Sequence, residues 1–295
     1  MNVSIVIPNY NGKELLTNNL PSVLTAKRNP RNNIKEVIVV DDASRDSSVA
    51  FLEKYSSEIT IIRQKENRGF SVAVNVGVHA SVSELVCLLN TDVIPEHDFL
   101  EDVIPLFQQE ELFGVSLHEK GYGPSVGKFV SGFIVHSPGQ EVNSTQETFW
   151  VNGGSGVFRK KLWEDLGGFD EKLYSPYYWE DVDISYRALK RGYKLLWEPK
   201  ARVVHEHEQT MSKLSKRFRQ RIQERNQLIL IWKNLTSPRL LNKHLIGLFK
   251  RVVKNPGYIR IVFISVIKIL VVTKSRNREK KEAKISDEAI FAMFK

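Results

Sequence analysis

Up to residue 92 the chain alternates short β-branched runs with longer amphipathic stretches. Residues 3–7, 37–40, 59–63 and 85–89 are apolar runs too short for helices, and they read as buried strands. Helical patterns lie between them. One begins near Glu14, and a second follows candidate caps at residues 44–48 and runs to about Tyr55. A third opens at Asn67-Arg68-Gly69 and passes through Val72, Val74 and Val78. Strands and helices in this alternation predict a parallel sheet with helices on both faces. The strand runs end in polar residues, including Asn9-Tyr10-Asn11-Gly12, Asp41-Asp42 and Asn90-Thr91-Asp92. Their tips therefore form one edge, the place where ligands bind in open α/β sheets.

Further along, residues 129–135 and 148–159 read as later, antiparallel strands, and 194–197 and 201–204 as two short ones. Residues 182–191 read as a helix stopped by Gly192. Near Thr210 the texture changes to long, basic helical patterns such as 218–232, which predicts a body over 1–210 and a helical region over 211–295. Charge sharpens that division. The 295 residues carry 43 Lys and Arg against 34 Asp and Glu, but residues 1–210 are net acidic. Between Met211 and Lys284, 20 basic residues face only Glu224, Glu279 and Glu282. Such a segment calls for a polyanionic partner, a membrane surface or nucleic acid. It lacks a recognisable nucleic-acid reading module, so no nucleic-acid partner is expected. An apolar content of 42% excludes general disorder, and a single cysteine, Cys87 in an apolar strand, excludes a disulfide scaffold. No Cys/His spacing suits structural zinc, and no signal peptide is visible.

The segments SIVIPNYNG, VIVVDDASRD, NRGFSVAVNVG, LLNTDV, WVNGGSGVFRK, WEDVDISYRALKRGYKL and ARVVHEHE occur in that order. Together they resemble an inverting family 2 glycosyltransferase with the GT-A fold, a Rossmann-like mixed α/β sheet with helices on both faces. The resemblance covers roughly the first 210 residues. The texture is similar to rhamnosyl- and galactofuranosyl-type enzymes that build bacterial surface polysaccharide. It implies a nucleotide-diphosphate sugar donor (UDP-, dTDP- or GDP-linked), a saccharide or lipid-linked acceptor, and a divalent cation, Mn²⁺ or Mg²⁺.

On the donor side, Asp41 at a strand tip suits a base N–H and a hydroxyl, and the resemblance assigns it the base. Pro8 and Tyr10 line the same tip and suit packing on the ring. Arg68 suits a phosphate or, as in similar enzymes, the base edge. For Asp42, Asn67 and Asn75, caps and turns explain the residues equally well. A leaving diphosphate gains charge as the glycosidic bond breaks, which calls for a cation on hard oxygen ligands. Asn90-Thr91-Asp92 stands where the family carries its Asp-x-Asp metal motif, with Asn in place of the first acid. Asp92 is the implied ligand. His205, after a strand end, is implied to complete the metal shell, and His207 competes on the same strand face.

On the acceptor side, inversion needs one general base beside the acceptor hydroxyl. The resemblance makes Asp181 that base and gives Trp179 and Glu180 to the acceptor. Glu180, Asp181 and Asp183 also suit a helix N-terminus by charge alone. Gly153, Gly154 and Gly156 let backbone approach a ligand, with Gly154 assigned to the acceptor, and they equally suit a turn between strands.

Residues 258–273 are apolar but too short to span a bilayer, and they contain Arg260 and Lys268. Arg260, Ser265 and Lys268 share one side of a helical wheel. The rest, Ile261 and Ile264 included, is expected to lie in a membrane interface, with residues 274–284 as a polybasic supplement. A core helix packed on the body is the competing reading. The expectation is a transferase attached peripherally to the cytoplasmic face of the plasma membrane, with an oligomer left open. The alternative is a nucleotide-sugar-binding scaffold, supported only by Asn90. A Rossmann dehydrogenase lacks its G-x-G-x-x-G.

Overall fold

The computed structural model describes residues 1–205 and 215–294. The expected boundary near Thr210, and His207, fall outside them. The first seven elements follow the expected alternation: β1 (Val3–Asn9), α1 (Lys13–Arg28), β2 (Ile34–Asp41), α2 (Ser48–Leu52), β3 (Thr60–Arg63), α3 (Phe70–Ala80) and β4 (Leu85–Leu89). β1 pairs in parallel with β2 and β4, and β2 with β3. β4 is buried at every position, so its pleat needs cover on both sides. On one side Leu16, Leu20, Val23 and Leu24 of α1 pack on Ile5, Val39 and Cys87. On the other, Val74 and Val78 of α3 pack on Val6 and Val40. A Cβ at Gly77 would fall 2.3 Å from Val6 Cγ1, so glycine sets how closely α3 approaches the sheet.

The second half supplies β5 (Val93–Pro95), β6 (Leu112–Glu119), β7 (Ser125–Val130), β8 (Phe133–Pro138), β9 (Gln146–Glu147), β10 (Ser155–Arg159), α4 (Lys160–Leu166), α5 (Glu180–Lys190) and β11 (Lys194–His205). The main sheet runs β3-β2-β1-β4-β10-β6-β11-β5, with β9 also on β11 and β7–β8 forming a separate hairpin. β10 is antiparallel to β4 and β6, so the sheet is mixed.

Three strand expectations change. Residues 129–135 are not one strand. The chain reverses at Ser131 (φ 51°) and Gly132 (φ 91°), a two-residue hairpin loop with positive φ at both positions. Of 148–159, only Ser155–Arg159 is strand, because Asn152–Gly154 turn to meet the site. The two short strands at 194–204 are one strand of 12 residues. Its register slips between Trp197 and Arg202, around Pro199, which has no N–H for the ladder.

The C-terminal region forms α6 (Lys216–Asn234), α7 (Pro238–Lys254), α8 (Ile259–Val266), α9 (Ile269–Glu282) and α10 (Asp287–Met293). It shares its core with the body. Leu228, Ile229, Leu230 and Ile231 of α6 and Ile290 of α10 join one cluster with Phe133, Phe149 and Tyr186.

The expected single helix at 258–273 is broken, with α8 and α9 bent by 71°. Two of its three expected outward polar positions, Ser265 and Lys268, also turn inward. Ser265 is fully buried, its hydroxyl donating to Ile261 O at 2.8 Å, and Lys268 Nζ donates to Lys172 O and Leu173 O at 2.6 and 3.0 Å. Burial, aided by the Arg225 charge, lowers Lys268 to about 8. Ile261 is buried and Ile264 half-buried, so neither lies on the exposed face. Ser265 and Lys268 face protein because each finds a backbone carbonyl there, whereas Arg260 stays exposed as expected. No single helix among the described residues is long and apolar enough to cross a membrane.

Candidate active site

β1 and β2 bring Asn9 beside Asp41 in register. The buried Asp41 carboxylate accepts from Asn9 Nδ2 at 2.7 Å and from the Ser44 N–H at 3.0 Å, which fixes its orientation. Pro8 and the exposed Tyr10 stand at the same tip. Asp42 points elsewhere. It accepts from Arg68 N, Gly69 N and Gln64 Nε2, and so anchors the loop that opens α3. That bonding realises the loop role and holds the backbone of Arg68, whose side chain is exposed. Asn75 is also structural: its amide donates to Phe169 O and Glu171, and its Oδ1 accepts the Phe169 N–H. Cys87 is buried, and burial pushes its thiol up.

After β4 the chain turns through Asn90-Thr91-Asp92. Asn19 of α1 holds the turn by donating to Thr91 O at 2.8 Å. β5 then pairs with the end of β11, Val93 opposite His205, and the sequence-distant His lands beside Asp92. His205 Nε2 lies 3.2 Å from Asp92 Oδ1, and Nδ1 lies 3.0 Å from Glu119 Oε1. Burial alone would lower this imidazole. The two carboxylates outweigh it and raise His205 to about 9. Two side-chain donors at 3.2 Å are close enough to share one ion, and Glu119 on the far nitrogen is the usual way a metal-bound His is oriented. Among the described residues no group of three or more His, Cys, Asp or Glu is arranged to hold a metal. The pair therefore fits a cation that takes its other ligands from phosphate oxygens and water, as Mg²⁺ commonly does.

Glu119 escaped the sequence reading. It ends β6, and the buried, mostly apolar run 112–117 followed by His118-Glu119 repeats the pattern that marked the first strand tips. Its Oε1 also accepts from Ser155 Oγ at 2.6 Å and Asn152 Nδ2 at 3.1 Å.

The acidic pair sits at the start of α5. Tyr178 and Trp179 both adopt left-handed backbone (φ 74° and 75°), a costly conformation for non-glycine residues that needs support. Support comes from α6. The buried Asn226 amide donates to Tyr174 O, Tyr177 O and Tyr178 O, and Arg225 donates to Ser175 O at 2.7 Å. Asp181 accepts from the Gly153 N–H at 3.3 Å and from the Trp150 indole. Burial nevertheless raises its carboxyl. Glu180 is buried, its Oε2 without a hydrogen-bond partner among the described residues, and desolvation reinforced by the Asp181 charge raises it well above the carboxylate range. Asp183 belongs to the fold. It pairs with Arg187 and Lys233 and is held at about 2.

The two halves meet on one loop. Gly153 contacts Asp181, and a Cβ on Gly154 would lie 2.3 Å from Asn90 Nδ2. Gly154 thus lies against Asn90 at the strand-tip edge, next in sequence to the Gly153 that meets Asp181, while Asn152 and Ser155 hold Glu119.

Residues 4–166 match the family described as Glycosyl transferase family 2. The Pre-mycofactocin glycosyltransferase of Mycobacterium tuberculosis is 29% identical over 220 residues, 70% of this chain and 43% of that protein. The poly-β-1,6-N-acetyl-D-glucosamine synthase of Staphylococcus aureus is 25% identical over 207 residues, 68% of this chain and 48% of its own length. The chain spans less than half the length of these relatives. Among solved structures, GalNAc-T7 with UDP, GalNAc and Mn²⁺ superposes with a TM-score of 0.64 at 17% identity, covering 80% of this chain and 48% of that one. The Pyrobaculum calidifontis mannosyltransferase with GDP-Man and Mn²⁺ superposes at 0.58 with 16% identity, covering 95% and 83%. Both neighbours have the GT-A fold described above for this chain. With the family match extending over more than half of its residues, the chain belongs to glycosyl transferase family 2.

Proposed function

We propose that the protein transfers a sugar from a nucleoside-diphosphate donor to an acceptor hydroxyl with inversion, in the synthesis of a polysaccharide or other glycan. One observation carries the reading: the loop Asn152–Ser155 joins the Asp92–His205 pair to the Glu180–Asp181 pair. A cation-suited donor edge and a candidate base thereby share one short segment. Asp41, Pro8 and Tyr10 receive the base of the nucleotide, with Arg68 at its edge or on the phosphates. Asp92 and His205 hold a divalent cation, Mn²⁺ or Mg²⁺, and Asn90 and Thr91 line the diphosphate. When bound, the cation neutralises charge on the departing diphosphate.

Asp181 accepts the proton of the acceptor hydroxyl as its oxygen bonds to the anomeric carbon. The bond to the diphosphate oxygen breaks on the opposite face, and its electron pair leaves with that oxygen. A raised carboxyl is a stronger base, and the Gly153 and Trp150 N–H groups orient it. Glu180, Trp179 and Gly154 border the acceptor. The UDP and GDP-Man bound by the two structural neighbours support a UDP- or GDP-linked donor, with dTDP the remaining option, and the poly-β-1,6-N-acetyl-D-glucosamine synthase supports a saccharide acceptor, with a lipid-linked one as the alternative.

Asn90 favours a second reading, a nucleotide-sugar-binding partner without turnover, because it removes one negative charge from the metal edge. The test is a thermal-shift screen of nucleotide sugars with Mn²⁺, Mg²⁺ or EDTA, followed by detection of released nucleoside diphosphate. A metal-dependent shift with turnover supports transfer. A shift without turnover on any acceptor supports the second reading, and no shift overturns both.

A further inference from the structure

The C-terminal helices turn apolar side chains outward. At about 100° per residue, Leu245, Ile246, Phe249 and Val253 of α7 fall within about 100° of its circumference. All four are exposed, Phe249 at 69%. Arg239, Lys243, Lys250 and Lys254 occupy the adjoining sector and are exposed as well, while Leu240 and His244 face the body. Beyond the turn at Pro256 the arrangement recurs. Ile259 and Phe263 of α8, Ile267 at the break and Leu270 of α9 are exposed, Leu270 at 84%. Arg260 and Lys274 flank them, and Tyr258, Ser265 and Val272 point inward. Isolated exposed apolar residues are ordinary, but successive stripes bordered by cations are not.

We infer that α7, α8 and α9 form a docking surface for an anionic lipid bilayer, entered in-plane by the apolar stripes and held by the bordering Lys and Arg. Charge decides the occupant. Acidic headgroups meet the cations while acyl chains cover Phe249, Phe263 and Leu270, which is the division an interfacial helix requires. A second copy of the chain would bring the same 20-to-3 basic surplus of residues 211–284 against itself. The surface includes α7, which lies outside the 258–273 stretch, and it excludes Ile261. The inference does not rest on the transferase reading.

The test is flotation of the full chain with phosphatidylcholine vesicles, with and without phosphatidylglycerol, at low and high salt. Intact protein is expected to float with phosphatidylglycerol and to stay partly bound at high salt, where exposed charges are screened over only ~3 Å at 1 M. Phe249→Asp combined with Phe263→Asp should weaken binding about tenfold or more per side chain and abolish the salt-resistant part. Lys243→Gln with Lys250→Gln and Lys254→Gln should instead remove the preference for phosphatidylglycerol. Unchanged melting and nucleotide binding identify folded variants and separate this result from any failure of the transferase reading. Protein that stays unbound at low salt, variants that bind like the parent, or a lipid-free dimer dispersed by Phe249→Asp would each overturn the inference.

Discussion

The body and the C-terminal helices use polarity in opposite senses. Among the described residues, seven large apolar side chains are exposed before residue 206 and are scattered, whereas thirteen follow residue 214 and concentrate on α7, α8 and α9. Helices α6, α9 and α10 of the same region send polar groups inward. Lys233 meets Asp183 and Asp170, Glu279 meets Arg191, and Asp287 meets Lys190 and Tyr186. Apolar burial is non-directional and leaves many ways for helices to rest on a sheet. Buried ion pairs with these partners permit one. Their net contribution to stability is small, but breaking one is costly, so we read the inward polar face as an address for this body.

The largest expected effect concerns the body alone. Asp181→Asn should lower kcat by about 10²–10⁴-fold while nucleotide affinity, followed by calorimetry, stays near the parent value. An equal loss of donor binding would mean that the acidic pair and the donor edge are not separable.

The second expectation joins the two regions. Lys233→Met leaves Asp183 buried without one of its cations and should cost about 3–5 kcal/mol in urea unfolding. A single transition is expected, because α6 and the body share a core; two transitions would break the comparison. Asp183 also carries a pH signature. Burial opposes its ionisation, but Arg187 and Lys233 prevail and hold it at about 2. A depressed carboxyl stabilises fully above its unfolded value of about 3.9, and that stability drains as pH falls toward its folded value. Acid unfolding should therefore steepen below that unfolded value, and less so in Lys233→Met.

Glu119→Gln tests the donor side. It keeps the shape but weakens the partner that orients His205, so Mn²⁺ affinity measured by electron paramagnetic resonance should drop about 10–100-fold. Melting temperature should change little. The smallest effect is a displacement. Because the Asp181 carboxyl is raised, the acid limb of kcat should lie above the ordinary value of about 3.9. Trp150→Phe removes a bond that holds this carboxyl down and should move the limb further up.

The parallel half of the sheet was legible because each strand is a short apolar run ended by polar residues, a pattern that needs no distant partner to be read. Asp41, Asp92 and Asp181 were visible for that reason or through their ordered motifs. The hairpin at Ser131-Gly132 was missed although Ser-Gly is a turn signal, because Phe129, Val130 and Phe133 look continuous across it. Glu119 was hidden by its dependence on pairing: only β6 beside β11 brings it to His205. The outward face of the 258–273 segment is legible only in part: Arg260, Ile259 and Phe263 are exposed, but Ser265 and Ile261 are buried. A helical wheel separates polar from apolar sides but cannot say which finds partners, and Ser265 and Lys268 found carbonyls within the protein.

The Asn226 clamp has a bearing on inheritance. One amide from α6 restrains the left-handed turn that delivers the acidic pair. A hybrid that grafts a relative's C-terminal helices onto this body would have to bring an asparagine to the same place, or the turn that carries Glu180 and Asp181 would relax. Exchanging the C-terminal helices and exchanging the acidic turn are therefore not independent events. Diversification of one would be expected to leave compensating changes in residues 174–179.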